Sequence, residues 1–294
     1  MTDSQPMRTL PVLLALCLTS ALASAQPYAC SLDTKIAVGD VRSPGKSPKV
    51  LAEGYDAAIS PDGTKVAFTL SSENGDRSIA IADVATGKVQ SVEGIPGNNN
   101  YGPVWSPDGN LIYFNHFLDS DWTVARVNSG GGDFQIIYQG SVAFAVFPDG
   151  KKLLCNDMTN FFVISLEGTG ASVGEKLPGD AKLEGISVPC RIDIAPNGET
   201  ALFEMSVGAD MVSGKDDFPP ISIWQVNLKD GSLTRITEKG ANTTYPAWLP
   251  DGSGFLYVKD GAGSSPSIYK QQLAAGSQAD LVAKKASQPT VARP

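Results

Sequence analysis

Ile59-Ser60-Pro61-Asp62-Gly63, Trp105-Ser106-Pro107-Asp108-Gly109, Val146-Phe147-Pro148-Asp149-Gly150, Ile194-Ala195-Pro196-Asn197-Gly198 and Trp248-Leu249-Pro250-Asp251-Gly252 are five versions of one phrase. They recur roughly every 45 residues, a period that marks one supersecondary unit repeated along the chain. Each version has the chemistry of a hairpin. Proline pre-sets the second position of a type I turn, Asp or Asn tolerates the next, and glycine takes the left-handed conformation that closes the loop.

Working outward, each turn is flanked by apolar runs. Ala57-Ala58-Ile59 precedes the first turn and Val66-Ala67-Phe68 follows it. The runs after the others are Leu111–Phe114, Leu153-Leu154, Ala201–Phe203 and Phe255–Val258. A third apolar stretch follows in each unit: Ile79–Ala82, Thr123–Val127, Phe161–Ile164, Ile221–Trp224 and Ser267–Tyr269. A glycine-rich turn and a short fourth segment complete the unit, with Gly174–Leu177 the weakest of these. Four short strands in about 45 residues make one propeller blade. The fold class is therefore all-β: a β-propeller of four-stranded blades. Lys35–Val41 and Lys49–Leu51 read as third and fourth strands of a sixth, incomplete blade, whose first two strands should come from the C-terminal end. A five-bladed ring is the alternative.

Residues 1–25 read as a secretory signal peptide. Arg8 precedes an apolar run from Leu10 to Leu22, then Ala23-Ser24-Ala25 offers a cleavage site. The run is too short for a membrane span. The propeller is expected over 26–285, with repeats from about residue 55, and 286–294 is expected to form a loose C-terminal tail. The exported protein is expected in the periplasm or outside the cell. Export permits one disulfide among Cys30, Cys155 and Cys190, with Cys155–Cys190 and Cys30–Cys190 as competing pairs and three inert thiols as the third option. The net charge of −8 and the lack of a basic run argue against a nucleic-acid partner and favour a cationic one.

Tyr101-Gly102-Pro103-Val104-Trp105-Ser106-Pro107-Asp108-Gly109 followed by Leu111-Ile112-Tyr113-Phe114 resembles the PD40 (WD40-like) repeat of the TolB β-propeller. Tyr245-Pro246-Ala247-Trp248-Leu249-Pro250-Asp251-Gly252 resembles it again, and the likeness extends from Tyr55 to Leu281. The resemblance implies a periplasmic, protein-binding propeller; the chain is expected to be a monomer. In TolB the propeller docks the peptidoglycan-associated lipoprotein, so it implies a protein partner of the envelope-lipoprotein kind. TolB carries an α/β domain before its propeller; the thirty or so residues between leader and first repeat leave no room for one here.

Propeller geometry puts the PDG and Gly-rich turns on one end of the ring, where their Asp residues serve as turn-formers. Trp105 and Trp248 belong to the repeat and are expected between blades. The longer loops share the other end, and that end is where a site is expected. Its candidates are Asn100, Tyr101, His116, Asp119, Asp121, Asp157, Asp216, Asp217, Tyr245 and Asp260. Converging oxygens there suit Ca²⁺ or a cationic segment of a partner. Asp119-Ser120-Asp121 begins like a calcium loop, but Trp122 stands where another ligand belongs. Phe218, Tyr101, Tyr245 and Trp122 are candidates for an aromatic binding patch. His116 is the only histidine, read as a polar loop residue, which excludes multi-histidine chemistry. No G-x-S-x-G elbow is present. A protein-binding scaffold is the leading reading; a lyase or glycosidase using loop carboxylates is the alternative.

Overall fold

A computed structural model of the chain describes residues 25–294 apart from 168–173, 180–182, 184, 187–189, 212–217, 261–264 and 275. All of the expected export signal but Ala25 lies outside these residues. Each PDG turn closes a hairpin. In the first, Gly63 N–H donates to the Ser60 carbonyl at 2.9 Å and Ser60 N–H to the Lys65 carbonyl at 2.8 Å. Gly63 is left-handed, at φ 72°. Asp62 Oδ1 accepts from Ser60 Oγ at 2.6 Å and Thr64 N–H at 3.0 Å. Asp108, Asp149, Asn197 and Asp251 accept the equivalent N–H two residues on. These side chains are turn-formers, as the repeat implies. A Cβ at Gly109 would lie 3.8 Å from Pro61, and Gly150, Gly198 and Gly252 meet Pro107, Pro148 and Pro196 in the same way. Each turn thus rests on the proline of the preceding blade.

The hairpins belong to six four-stranded antiparallel sheets. Blade 1 is Tyr55–Ile59, Lys65–Ser71, Arg77–Asp83 and Val89–Ser91. Blade 2 is Asn100–Trp105, Leu111–Leu118, Asp121–Asn128 and Gln135–Gln139. Blade 3 is Ala143–Val146, Lys152–Asn156, Phe161–Ser165 and Glu175–Lys176. Blade 4 is Asp193–Ile194, Thr200–Ser206, Ile221–Asn227 and Leu233–Arg235. Blade 5 is Thr243–Trp248, Gly254–Lys259, Ser267–Gln272 and Asp280–Lys284. Blade 6 joins the two chain ends: Ser287–Val291 pairs with Pro27–Leu32, followed by Lys35–Asp40 and Lys49–Glu53. The ring has six blades, and the five-bladed alternative falls.

Two expectations for the chain ends are corrected. The C-terminal segment supplies one strand of blade 6, not two, because Pro27–Leu32 takes the second place. Residues 286–294 are not a loose tail. Their apolar content is low, yet an innermost strand can use polar groups across the blade boundary: Ile59 N–H donates to Thr290 Oγ1 at 3.0 Å, and Thr290 Oγ1 donates to the Ala57 carbonyl at 3.2 Å. Arg293 then reaches from blade 6 to blades 4 and 5. It forms an ion pair with Asp193 and donates to the Ile194 carbonyl at 2.9 Å, while Asp193 accepts from Trp248 N–H at 2.6 Å.

The core is divided among six interfaces, and the second strand of each blade explains the division. Side chains alternate across a strand. Val66 and Phe68 pack toward blade 6, while Ala67 packs toward blade 2. Ile112 and Phe114 face blade 1, and Tyr113 faces blade 3. Phe68, Phe114, Phe203 and Phe255 are fully buried, each such ring contributing about 2–3 kcal/mol of burial. Trp105 and Trp248 lie between blades as expected, and Trp105 Nε1 donates to the Ala58 carbonyl of blade 1 at 2.9 Å. Cys30, Cys155 and Cys190 are buried free thiols. Cys155 faces blade 2, Cys190 lies at the interface of blades 3 and 4 and Cys30 at that of blades 5 and 6, so neither expected pair is brought together. Burial pushes the Cys30 thiol up to about 12 and raises Cys155 and Cys190 as well.

Truncation after Ala286 tests the closing strand. It should lower Tm by about 10 °C or more and broaden the melt, because blade 6 loses its first strand and Arg293 its contacts. An unchanged melt would restore the loose-tail reading.

Candidate functional site

The first strands of the blades surround an axial cavity of about 550 Å³. Its two ends differ. At the PDG end stand Pro61, Pro107, Pro148, Pro196 and Pro250, with Arg293 and Asp193. The walls are apolar, with Ala58, Val104, Ala145, Ile192 and Ala247 among them. At the long-loop end the lining turns polar: Asp56, Tyr101, Asn115, Arg191, Tyr245 and Gln288.

A backbone irregularity builds this mouth. In four blades the first strand carries a bulge, two residues opposing one. The bulged pairs are Asp56-Ala57, Gly102-Pro103, Tyr245-Pro246 and Gln288-Pro289. Asp56, Gly102, Tyr245 and Gln288 all have φ between 51° and 66°. Bulges of this kind re-aim a side chain, and left-handed non-glycine residues cluster at functional sites. The second strands supply a matching polar position, directly after the apolar triad that ends in Phe68, Phe114, Cys155, Phe203 or Cys30. It is occupied by Thr69, Asn115, Asn156, Glu204 and Ser31. By strand alternation this residue faces the next blade. Thr69 Oγ1 accepts from Gly102 N–H at 3.1 Å, and Glu204 accepts from Tyr245 N–H at 2.5 Å. Thr69 Oγ1 also donates to Asp56 at 2.8 Å, and Ser31 Oγ to Gln288 at 2.8 Å.

Two tyrosines of the mouth are held firmly. Tyr101 stands edge-on to Trp122, centroids 5.2 Å apart, with the Arg77 guanidinium 4.3 Å above its ring. Burial, then Glu204, raises the Tyr245 phenol. Burial also pushes the Glu204 carboxyl up to about 7, opposed by the N–H groups of Tyr245 and Arg191 and by the Arg191 charge.

Of the ten residues expected from sequence, Tyr101 and Tyr245 line this mouth. Asn100 and His116 belong to the core. His116 is not a loop residue: it lies two places after Phe114 on the same strand, so it shares that buried face. Its Nδ1 is 2.6 Å from Asn100 Oδ1, its ring packs 5.0 Å from Phe134, and burial lowers its pKa. Asp119 and Ser120, at φ 52° and 75°, form the two-residue turn of a hairpin, and Asp121 starts the next strand. Asp157 accepts from Thr159 and Asn160 N–H at 2.9 and 2.7 Å, another turn. Asp260 sits at the end of a strand of blade 5, and Asp216 and Asp217 lie outside the described residues. Among the described residues no three His, Cys, Asp or Glu side chains come together, so no carboxylate cage for Ca²⁺ is assembled. The expected aromatic patch divides: Tyr101 and Trp122 meet in blade 2, Tyr245 lies opposite in blade 5, and Phe218 lies in the loop of blade 4.

Sequence reading missed Asp56, Arg191, Glu204 and Gln288. The signal for Glu204 was present, as a polar residue at a fixed place after an apolar triad. For Gln288 it was Gln-Pro standing where Gly102-Pro103 and Tyr245-Pro246 stand.

Comparison with solved structures fits this geometry. TolB from Acinetobacter baumannii superposes with a TM-score of 0.71 at 15% identity, over 92% of this chain and 67% of that one. This chain has the TolB-like propeller fold. A putative TolB from Agrobacterium tumefaciens gives 0.66 at 16% identity, over 88% and 89%. A chain of a nidogen/laminin complex gives 0.63 at 12%, over 91% and 98%. No family model matches the sequence. At these identities the likeness extends to the fold of the TolB-like ring and leaves the residues of its mouth to be read on their own.

The raised Glu204 pKa gives a pH prediction. Its ordinary value is 4.5, so its folded-state contribution is fully present below that pH and is lost as pH rises through about 7. Glu204→Gln keeps an acceptor for Tyr245 and removes the ionisation. At pH 8 the variant should melt a few degrees above the native protein, a gain on the order of 1–3 kcal/mol. At pH 5 the gain should vanish. An offset equal at both pH values would mean the carboxyl is not proton-linked to folding.

Proposed function

We propose that this TolB-like propeller is an exported protein, periplasmic or secreted, that binds a protein partner through its long-loop end. The observation that carries the reading is where exposed apolar side chains fall. Tyr55, Met158, Met211 and Phe218 are 42%, 50%, 42% and 82% exposed. Chain direction puts all four at the long-loop end, on blades 1, 3 and 4. Of the other large exposed hydrophobics, Val50, Val89 and Ile136 lie on outermost strands and Leu273 at the PDG end. Apolar groups gathered around a polar opening are what a protein-binding surface offers.

The leader at residues 1–25 supports export. Among the described residues no helix is long and apolar enough to cross a membrane. The net charge of −8 favours a partner with basic groups facing this end. The TolB-like fold makes an envelope lipoprotein the first partner to try.

Affinity capture from a periplasmic extract with the tagged full chain tests this. One partner should be enriched. The triple variant Met158→Ser, Met211→Ser and Phe218→Ser should weaken capture about tenfold or more, whereas Lys88→Glu with Lys229→Glu at the PDG end should leave it intact. Equal capture by both variants, or no enriched partner, overturns the reading.

A further inference from the structure

The mouth of the axial cavity holds one anion and one cation on opposite sides; among the described residues Asp56 has no charged partner, and Arg191 has only the carboxyl of Glu204 behind it, at a distance longer than an ion pair. Asp56 comes from blade 1 and Arg191 from the approach to blade 4, three blades apart in a ring of six. Asp56 accepts only from neutral groups, Thr69 Oγ1 at 2.8 Å and Gln288 Nε2 at 3.5 Å. Among the described residues the Arg191 guanidinium makes no hydrogen bond or ion pair. Glu204 lies behind it, with backbone N–H groups of Tyr245 and Arg191 bonded to its carboxylate. Both mouth charges are partly removed from water, and half-buried charges without partners are costly unless something completes them. A ligand with a single charge would complete one and leave the other.

We propose that the cavity is a binding site for a small zwitterion: a short peptide with free termini and apolar side chains. Its ammonium group meets the Asp56 carboxylate and its carboxylate meets the Arg191 guanidinium, which offers a planar pair of donors. Tyr101 and Tyr245, on blades 2 and 5, line opposite sides of the mouth. The Asn115 amide and the side chain of Gln288, which bonds Tyr245, line the mouth and offer polar groups for the peptide group between the termini. Beneath them the wall is made of Ala58, Val104, Ala145, Ile192 and Ala247, which suits aliphatic side chains. A cavity of about 550 Å³ has room for a di- or tripeptide. Arg293, tied to Asp193 at the far end, favours a ligand that enters from the mouth over a chain threaded through the ring.

The left-handed backbone at the mouth supports the assignment. Asp56, Tyr245 and Gln288 each hold a conformation that favours glycine, in three separate blades, at the same bulge. Hairpin closure does not require it, since these bulges lie at the opposite end from the PDG turns. What the bulge achieves is to turn a side chain toward the axis. This site is separate from the protein-binding surface proposed above, and either can fail without the other.

Calorimetry of the full chain with leucyl-leucine and trileucine is the test. Binding is expected for at least one of them. The N-acetylated and the C-amidated forms, each lacking one charge, should bind about tenfold or more weakly. Asp56→Asn should erase the penalty for acetylation and keep that for amidation; Arg191→Gln should do the reverse. No heat from either peptide at millimolar concentration overturns the proposal, and so does equal binding of free and capped forms. The capped peptides are tested on the native protein, so the outcome stands even if a variant fails to fold. Loss of partner capture with peptide binding intact would count against the protein-binding role alone.

Discussion

Everything in this molecule depends on closing the ring, and closure rests on one antiparallel pairing between the two chain ends. Tyr28 faces Val291, Ala29 faces Thr290 and Ser31 faces Ser287. Each blade buries both of its faces against neighbours, so a ring missing one blade boundary would expose two apolar faces at once. Blade 6 is where that would happen, because it is the only blade built from distant segments. Thr290 stitches the closing strand to blade 1, and Arg293 carries it on to blades 5 and 4. A non-local closure of this kind has a high loop-closure cost, met only when the rest of the ring is in place.

The same architecture locates the chemistry. A second strand lies between two interfaces, so apolar residues are required on both of its faces as long as it runs between packed neighbours. Where the strand emerges at the long-loop end that requirement lapses, and Thr69, Asn115, Asn156, Glu204 and Ser31 occupy the freed position. Thr69, Asn156, Glu204 and Ser31 bond the bulges of first strands or the turns beside them. The bulges in turn direct Asp56, Tyr245 and Gln288 toward the axis. The polar mouth is thus a consequence of how each blade ends, repeated around the ring with different side chains.

How much of this was legible in the sequence follows from what a repeat can encode. Five turns in register sufficed for the propeller, for the two ends of the ring, and for Asp62, Asp108, Asp149 and Asp251 as turn-formers, because a hairpin's chemistry is local. The closing strand was not legible. Ser287-Gln288-Pro289-Thr290-Val291 is short, polar and interrupted by proline, and its partner lies at the other end of the chain. His116 is polar, yet its two-residue spacing from Phe114 fixes it on that strand's buried face, where polarity gives no hint of burial. Asp157 is a loop carboxylate spent on its own backbone, while Asp119 sits in a two-residue hairpin turn and Asp121 opens a strand. Arg191 and Asp56 escaped notice because neither belongs to a motif. Only the ring, by placing blade 4 opposite blade 1, makes them a pair.

The contrast between the two ends of the channel carries a general point about repeat folds. At the PDG end proline, Asp and Gly recur because each turn must close its own hairpin, a local constraint that leaves little freedom. At the mouth the repeat fixes only a backbone device, the bulge, and leaves its side chain open. Asp56, Gly102, Tyr245 and Gln288 stand at that one position, differing in charge, size and hydrogen-bonding capacity. Left-handed backbone is tolerated there by an aspartate, a tyrosine and a glutamine where glycine would be easier. Uniform strain with varied chemistry is hard to attribute to folding, which would be served better by four glycines. It is the pattern expected where a scaffold holds different groups at fixed places around one opening.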